Sequence, residues 1–321
     1  MEQNRKRLES NFEKLRKKDS EQTLTEKLIN EVFNHYLKIV NLTIEKIESN
    51  KKEMETNPNC REENKEIETQ LVTLIRKEYG NFCRSSKDIL YRFLGISFHF
   101  LNYLHKYGEM DNYLSSIKIE REISDVKHNL TFCMFNYYAG ITMLTKHSPG
   151  NAFIFFSNAY EYLPENSPNR RKILIPLVVL QLRKGLYPPR QLIEKHNLMN
   201  ELGPLISAVQ SGNVKRFEEH VKQYELFFIY HGLFLYIESL KLITLRNLFE
   251  FVLKNNPNKH KPTYDTFKKA LEKSTGRSHT DIEFELIMSN LVHKKLCNCQ
   301  IYRNYGRIIF NQNAMVAYFT D

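Results

Sequence analysis

Three potential metal ligands, His293, Cys297 and Cys299, crowd into the stretch HKKLCNC. A structural zinc site takes four such ligands, ordinarily in spaced pairs. Here the fourth is missing and the pairing is absent. Cys297 and Cys299, at alternate positions, would share one face of a strand as small core residues do. No metal or other cofactor is expected. The chain also lacks a glycine-rich phosphate loop, a nucleophile elbow and a metalloprotease histidine pair. Its Asp and Glu residues fall mainly into amphipathic helical patterns, so the expectation is a protein that is not an enzyme.

Cationic chemistry is better represented. The formal charge is +10, and the stretch from Lys241 to Arg307 holds 13 Lys/Arg against 6 Asp/Glu. Candidate phosphate contacts are Lys259, Lys261, Lys268, Lys269, Lys273, Arg277, Lys294, Lys295, Arg303 and Arg307. Each cation that neutralises a phosphate releases counterions, which gives salt-dependent binding without sequence preference. Tyr302 and Tyr305 interleave with the last two arginines and offer rings on which unpaired bases stack. The competing reading is a solvated charged face, or a surface that docks another protein. Glu283 and Glu285 on the helix before them argue against base-specific reading of a major groove. Arg170 and Arg171 open an apolar helix and are candidates for holding an acidic partner segment.

The elements that must carry these residues are helical, with Gly and Pro scarce at 11 and 10 residues. Leu24, Leu28, Val32 and Tyr36 recur every four residues, as in an amphipathic helix. The segment SNKKEMETNPNCREENKE reads as a solvated loop. DILYRFLGISFHFLNYLHKYG reads as a buried helix ending at Gly108. VKHNLTFCMFNYYAGITMLTKH, NAFIFFSNAYEYLP and NRRKILIPLVVLQLRKG follow, separated by short turns. Such a succession predicts a solenoid of helical repeats, of the TPR or HEAT kind.

The stretch FFIYHGLFLYIESLKLITLRNLFEFV is long enough to span a bilayer, but Glu238, Lys241, Arg246 and Glu250 interrupt it, and charges there are costly. It reads instead as two buried helices meeting at Thr244, with its aromatic run of Phe227, Phe228, Tyr230, Phe234 and Tyr236 packed in the core. TYDTFKKALEKS and DIEFELIMSNLVHKK read as helices, and CNCQIYRNYGRIIFNQ as a β-hairpin turning at Asn304 to Gly306. Short helices followed by a hairpin predict a C-terminal winged helix. The expected segments are 1–78, a charged helical part; 79–243, the solenoid; and 244–321, the winged helix. Five irregularly spaced cysteines and an N-terminus without the apolar core of a signal peptide suggest reduced thiols in the cytosol or nucleus.

Helical repeats closed by a winged helix resemble the PCI domain of the proteasome lid, the signalosome and translation initiation factor three. NRRKILIPLVVLQLRKGLYPPRQLIEKHNL and YELFFIYHGLFLYIESLKLITLRNLFEFV are similar to blocks of one branch. That branch is the PCI subunit of the nuclear transcription-and-mRNA-export complex (TREX-two), with its signalosome-subunit-twelve-like relatives. The resemblance covers about residues 80–312, and the sequence departs from it where Lys295 and Cys299 stand in place of glycines. It implies a non-enzymatic scaffold in the nucleus, associated with the nuclear pore and able to shuttle to the cytoplasm. The implied partners are a large PCI-bearing scaffold subunit, a small acidic disordered subunit, and RNA or DNA held through phosphate contacts, with no membrane. A proteasome-lid or signalosome-like complex is the alternative, and a DNA-binding winged-helix factor a second one.

Overall fold

The computed structural model describes residues 2–20, 26–53, 57, 59–117, 130–255, 262–310, 315 and 318. Two compact units divide the chain: 1–147 with 154–167, and 148–153 with 168–321.

The first unit holds α1 (Glu2–Ser20), α2 (Glu26–Glu53), α3 (Asn59–Phe82), α4 (Lys87–Tyr103), α5 (Tyr107–Ser116), α6 (Leu130–Thr145) and most of α7 (Pro149–Tyr162). From α1 to α6 consecutive helices pack on each other, and α2 also packs on α4 and α4 on α6, the arrangement of stacked helical repeats. Nearly all of α1 is polar, yet Leu8, Phe12 and Leu15, spaced four and three residues apart, are fully buried. Phe12 enters a cluster of rings, 5.2 Å from Tyr36, 5.3 Å from Phe82 and 5.8 Å from Phe93. Burying such a side chain contributes about 1.5–3 kcal/mol. Arg16 adds an ion pair to Glu78, which is itself buried. The charged N-terminus is therefore part of the packed unit. Sparse apolar residues were enough because they share one stripe.

The first unit departs from two local expectations. Helix α4 does not run to Gly108, which lies inside α5. It ends at Tyr103, and His105 takes the left-handed position with φ 55°. The His105 and Lys106 amides then donate to the Asn102 and Leu101 carbonyls at 3.0 and 2.9 Å, which closes the helix in the Schellman manner. The supposed loop around Lys51 is mostly helix: α2 continues to Glu53 and α3 starts at Asn59, with residues 54–56 and 58 outside the described set. Asn50 and Asn64 account for this. They are buried facing each other, Asn50 Nδ2 donating to Asn64 Oδ1 at 2.9 Å and Asn64 Nδ2 to the Ile47 carbonyl at 3.3 Å.

The second unit holds α8 (Asn169–Arg183), α9 (Arg190–Lys195), α10 (Met199–Ser211), α11 (Val214–Gln223), α12 (Glu225–Tyr230), α13 (Phe234–Asn255), α14 (Tyr264–Thr275) and α15 (Asp281–His293). Two antiparallel strands follow, β1 (Cys299–Tyr302) and β2 (Arg307–Phe310), paired from Cys299↔Phe310 to Tyr302↔Arg307. A 3₁₀ turn at Arg303–Tyr305 and Gly306 joins them. Thr263 bridges to Arg307, so the chain before α14 adds a short third edge, as a winged helix requires.

Helix α13 organises this unit, packing on α8, α10, α11 and α14. It runs unbroken through the expected junction at Thr244. That residue is buried, and its hydroxyl donates to the Leu240 carbonyl at 2.9 Å, a bond made inside a helix rather than at its start. One helix thus serves both the repeats and the winged helix. Among the described residues no helix is long and apolar enough to cross a membrane.

Candidate nucleic-acid and docking interface

The winged helix is built on a small aromatic core. Phe249 of α13 meets Phe267 of α14 at 5.2 Å and Phe284 of α15 at 6.0 Å, and Phe310 of β2 closes on Phe267 at 5.7 Å. Helix α15 starts with a capping box: Thr280 accepts from the Glu283 amide at 3.2 Å, and Glu283 accepts from the Thr280 amide at 2.9 Å. Thr280→Ala should cost about 1 kcal/mol, visible as a lower denaturation midpoint, because the α15 amides lose their acceptor.

The structure sorts the ten candidate cations. Lys259 and Lys261 lie outside the described residues. Lys268 is bound to Asp281 at 2.5 Å and Asp265 at 3.4 Å, which holds its ammonium above the usual range. Arg277 pairs with Glu283 at 3.0 Å and Arg303 approaches Glu285 at 3.5 Å. Lys269, Lys273, Lys294, Lys295 and Arg307 are exposed and make no salt bridge among the described residues. Lys269 and Lys273 stand one turn apart on α14, Lys294 and Lys295 follow α15, and Arg307 begins β2. Lys295 has φ 58°, the left-handed conformation glycine adopts without strain, at a position where the resemblance has glycine.

The same ion pairs change what α15 presents. Glu283 serves the cap and Arg277, which together hold its carboxyl below the usual range. Glu285 accepts from the Tyr264 hydroxyl at 3.1 Å. Both acids are thus engaged within the domain. What stands outward, one turn apart, is Ile282 at 67% exposure and Leu286 at 70%. Such a ridge suits another protein's surface better than base edges. Nothing in the residue pattern marked it, because Phe284, Met288 and Leu291, which fill the core, are equally apolar.

His293 is exposed while Cys297 and Cys299 are buried. Among the described residues no three His, Cys, Asp or Glu side chains come together as metal ligands would. The Cys299 sulfur and burial push the Cys297 thiol up, as expected of a protonated core residue.

In the expected aromatic core, Phe228 and Tyr236 are buried but Tyr230 is 86% exposed, beside exposed Leu226, Ile229 and Leu235. Part of that run is therefore surface. Helix α12 is only six residues long and has one side against the core, so the rest of its residues face out. Arg171 pairs with Glu201 at 2.8 Å within the unit, and Arg170 lowers the nearby His196 as a secondary influence after burial and Lys195.

No protein-family model matches the chain. Among curated proteins, PCI domain-containing protein 2 of Xenopus laevis is 34% identical over 164 residues, 50% of this chain and 40% of its own length. The PCI domain-containing protein 2 homolog of Dictyostelium discoideum is 34% identical over 136 residues, 42% of this chain and 31% of its own. A Protein CSN12 homolog from Gibberella zeae is 21% identical over 193 residues, 56% and 42%. The matches span less than half of each relative's length.

Proposed function

Because this chain is a PCI-fold protein homologous to PCI domain-containing protein 2, we propose that it is a non-enzymatic scaffold subunit of a nuclear mRNA-export complex of the TREX-two type. Its winged helix docks a larger PCI-bearing subunit, its repeats carry a small acidic one, and the pair presents a basic surface to RNA or DNA. Its working place is the nucleus, at the pore. The observation that carries this reading is the division of labour on the winged helix. Ile282 and Leu286 form an outward apolar ridge, while Lys269, Lys273, Lys294, Lys295 and Arg307 remain without carboxylate partners among the described residues. An apolar ridge supports protein docking, and uncompensated cations support phosphate contacts.

The test is recovery of the tagged chain from its own cells, washed at low and high salt and read by mass spectrometry. One large PCI protein and one small acidic protein should co-purify, with RNA lost at high salt. Ile282→Glu with Leu286→Glu should release the large protein. Charge reversal at Lys269, Lys273, Lys294 and Lys295 should abolish RNA recovery but leave the proteins bound. The similarity to a CSN12 homolog favours one competitor: recovery of signalosome or proteasome-lid subunits instead would move the function to protein degradation.

A further inference from the structure

A groove of about 520 Å³ opens on the winged helix between α13, α14 and the α10–α11 turn. That volume lies within the ~300–1,000 Å³ typical of ligand clefts. Phe251, Val252 and Ala270 supply apolar lining, and Phe251 keeps 65% of its surface exposed. Lys269 and Lys273 also line it, and among the described residues no carboxylate does.

The walls are fixed before any ligand arrives. The Ser274 hydroxyl accepts from the Val214 amide at 2.8 Å and donates to the Gly212 carbonyl at 2.7 Å, which ties α14 to the α10–α11 turn. Gly212 has φ 69°, and a Cβ there would lie 2.6 Å from the α13 backbone at Leu248, so the turn sits directly on α13. An exposed aromatic ring in a groove that two lysines also line has a specific complement. The ring provides a stacking face, and Lys269 and Lys273, one helical turn and about 6 Å apart at their Cβ atoms, can meet neighbouring phosphates of one strand. A duplex keeps its bases stacked inside and cannot lower one into a groove.

We propose that this groove is a binding site for single-stranded nucleic acid, in which one unpaired base stacks on Phe251 while Lys269 and Lys273 hold the adjoining phosphates. This rests on the nucleic-acid reading above and assigns it a strand type and a place.

The experiment uses the full chain and a fluorescent ten-nucleotide uridine RNA, with one 4-thiouridine for photo-crosslinking. Wild-type protein should crosslink at or beside Phe251. Loss of the stacking face means that Phe251→Ala should weaken the RNA about tenfold, while a duplex of equal length should be nearly unaffected. Lys269→Ala with Lys273→Ala should reduce the log–log salt slope by about 1.4, two single-strand phosphate contacts at roughly 0.7 each. RNA binding that survives Phe251→Ala, with crosslinks confined to Tyr302, Tyr305 or Arg307, would overturn the groove and leave the wider reading standing. No binding of either RNA or duplex, by the chain alone or joined to its large partner, would overturn the groove and the nucleic-acid part of the wider reading together. Displacement of the RNA crosslink by a Glu-rich apolar peptide at lower concentration than by unlabelled RNA would make the groove a protein site. The crosslink map needs no variant, so it stands even if a substitution disturbs folding.

Discussion

Gly95→Ala should destabilise the first unit by about 3 kcal/mol, near the upper end for overpacking a tight site, although alanine is intrinsically the better helix former by about 1 kcal/mol. A Cβ on Gly95 would lie 2.1 Å from the Thr131 carbonyl oxygen and 3.2 Å from the Phe135 amide nitrogen. Both are backbone atoms of α6, so no rotamer change relieves the clash and the two helices must separate. Separation would loosen the rings packed on either side: Tyr91 against Phe135 at 4.8 Å and Phe98 against Phe135 at 5.5 Å. Gly80→Ala supplies the matched contrast. Gly80 is exposed on α3 with nothing within 4 Å of its would-be Cβ, so the same substitution should stabilise by about 0.5–1 kcal/mol. Urea denaturation of the three proteins checks the pair. Equal shifts for both variants would mean that helix propensity, not the α4–α6 approach, governs Gly95.

That contrast also shows which parts of this protein were legible from its sequence. Periodicity found the amphipathic helices because an apolar stripe at helical spacing is a one-dimensional signal; Leu8, Phe12 and Leu15 keep it even in a charged helix. The winged helix was legible for the same reason, since its hairpin breaks the helical period and turns at Gly306. Helix ends were not. Thr244 has the residue type of a cap, and only packing on α8, α10 and α11 keeps α13 continuous through it. His105 does what a glycine was expected to do, because a few non-glycine residues tolerate the left-handed region.

The candidate site was legible in charge but not in geometry. The cations could be counted, yet their availability depends on partners distant in sequence: Asp281 takes Lys268 across the α14–α15 turn, and Glu285 takes Arg303 from the wing. The exposure of Ile282, Leu286 and Phe251 depends on which face of a helix the core claims, and an apolar residue looks alike on either face. The surface that best distinguishes protein docking from phosphate contact was therefore the part least visible in the sequence.

Arg246→Met should cost the second unit about 3 kcal/mol, the low end for leaving the partners of a buried charge behind. The guanidinium is only 2% exposed. It donates to Asn247 Oδ1 at 3.0 Å, to Glu250 Oε2 at 2.8 Å and to the Met315 carbonyl, and it lies 3.9 Å over the Tyr318 ring. The Tyr318 hydroxyl donates to Asn247 Oδ1 at 3.2 Å, and Asn247 Nδ2 donates to the Tyr187 hydroxyl at 2.8 Å. Gly185 leaves room for this ring, since a Cβ there would be 2.4 Å from it. Arg246 thus fastens residues near the C-terminus onto α13 and the α8–α9 turn, and methionine keeps a long unbranched side chain while removing each bond the guanidinium itself makes. Burial raises the Glu250 carboxyl, but Lys254 and Arg246 outweigh it and hold it below the usual glutamate value. Its contribution is therefore intact above that usual value and is lost as pH falls through the depressed one. Without Arg246 the carboxyl moves back up toward its usual value, so this pH-dependent contribution should shrink. Tyr318→Ala should be destabilising too, and the double variant should fall short of the sum by about 0.5–3 kcal/mol, as for residues in one network. Strict additivity, or an Arg246→Met protein as stable as wild type at neutral pH, would show that the guanidinium does not fasten this end of the chain.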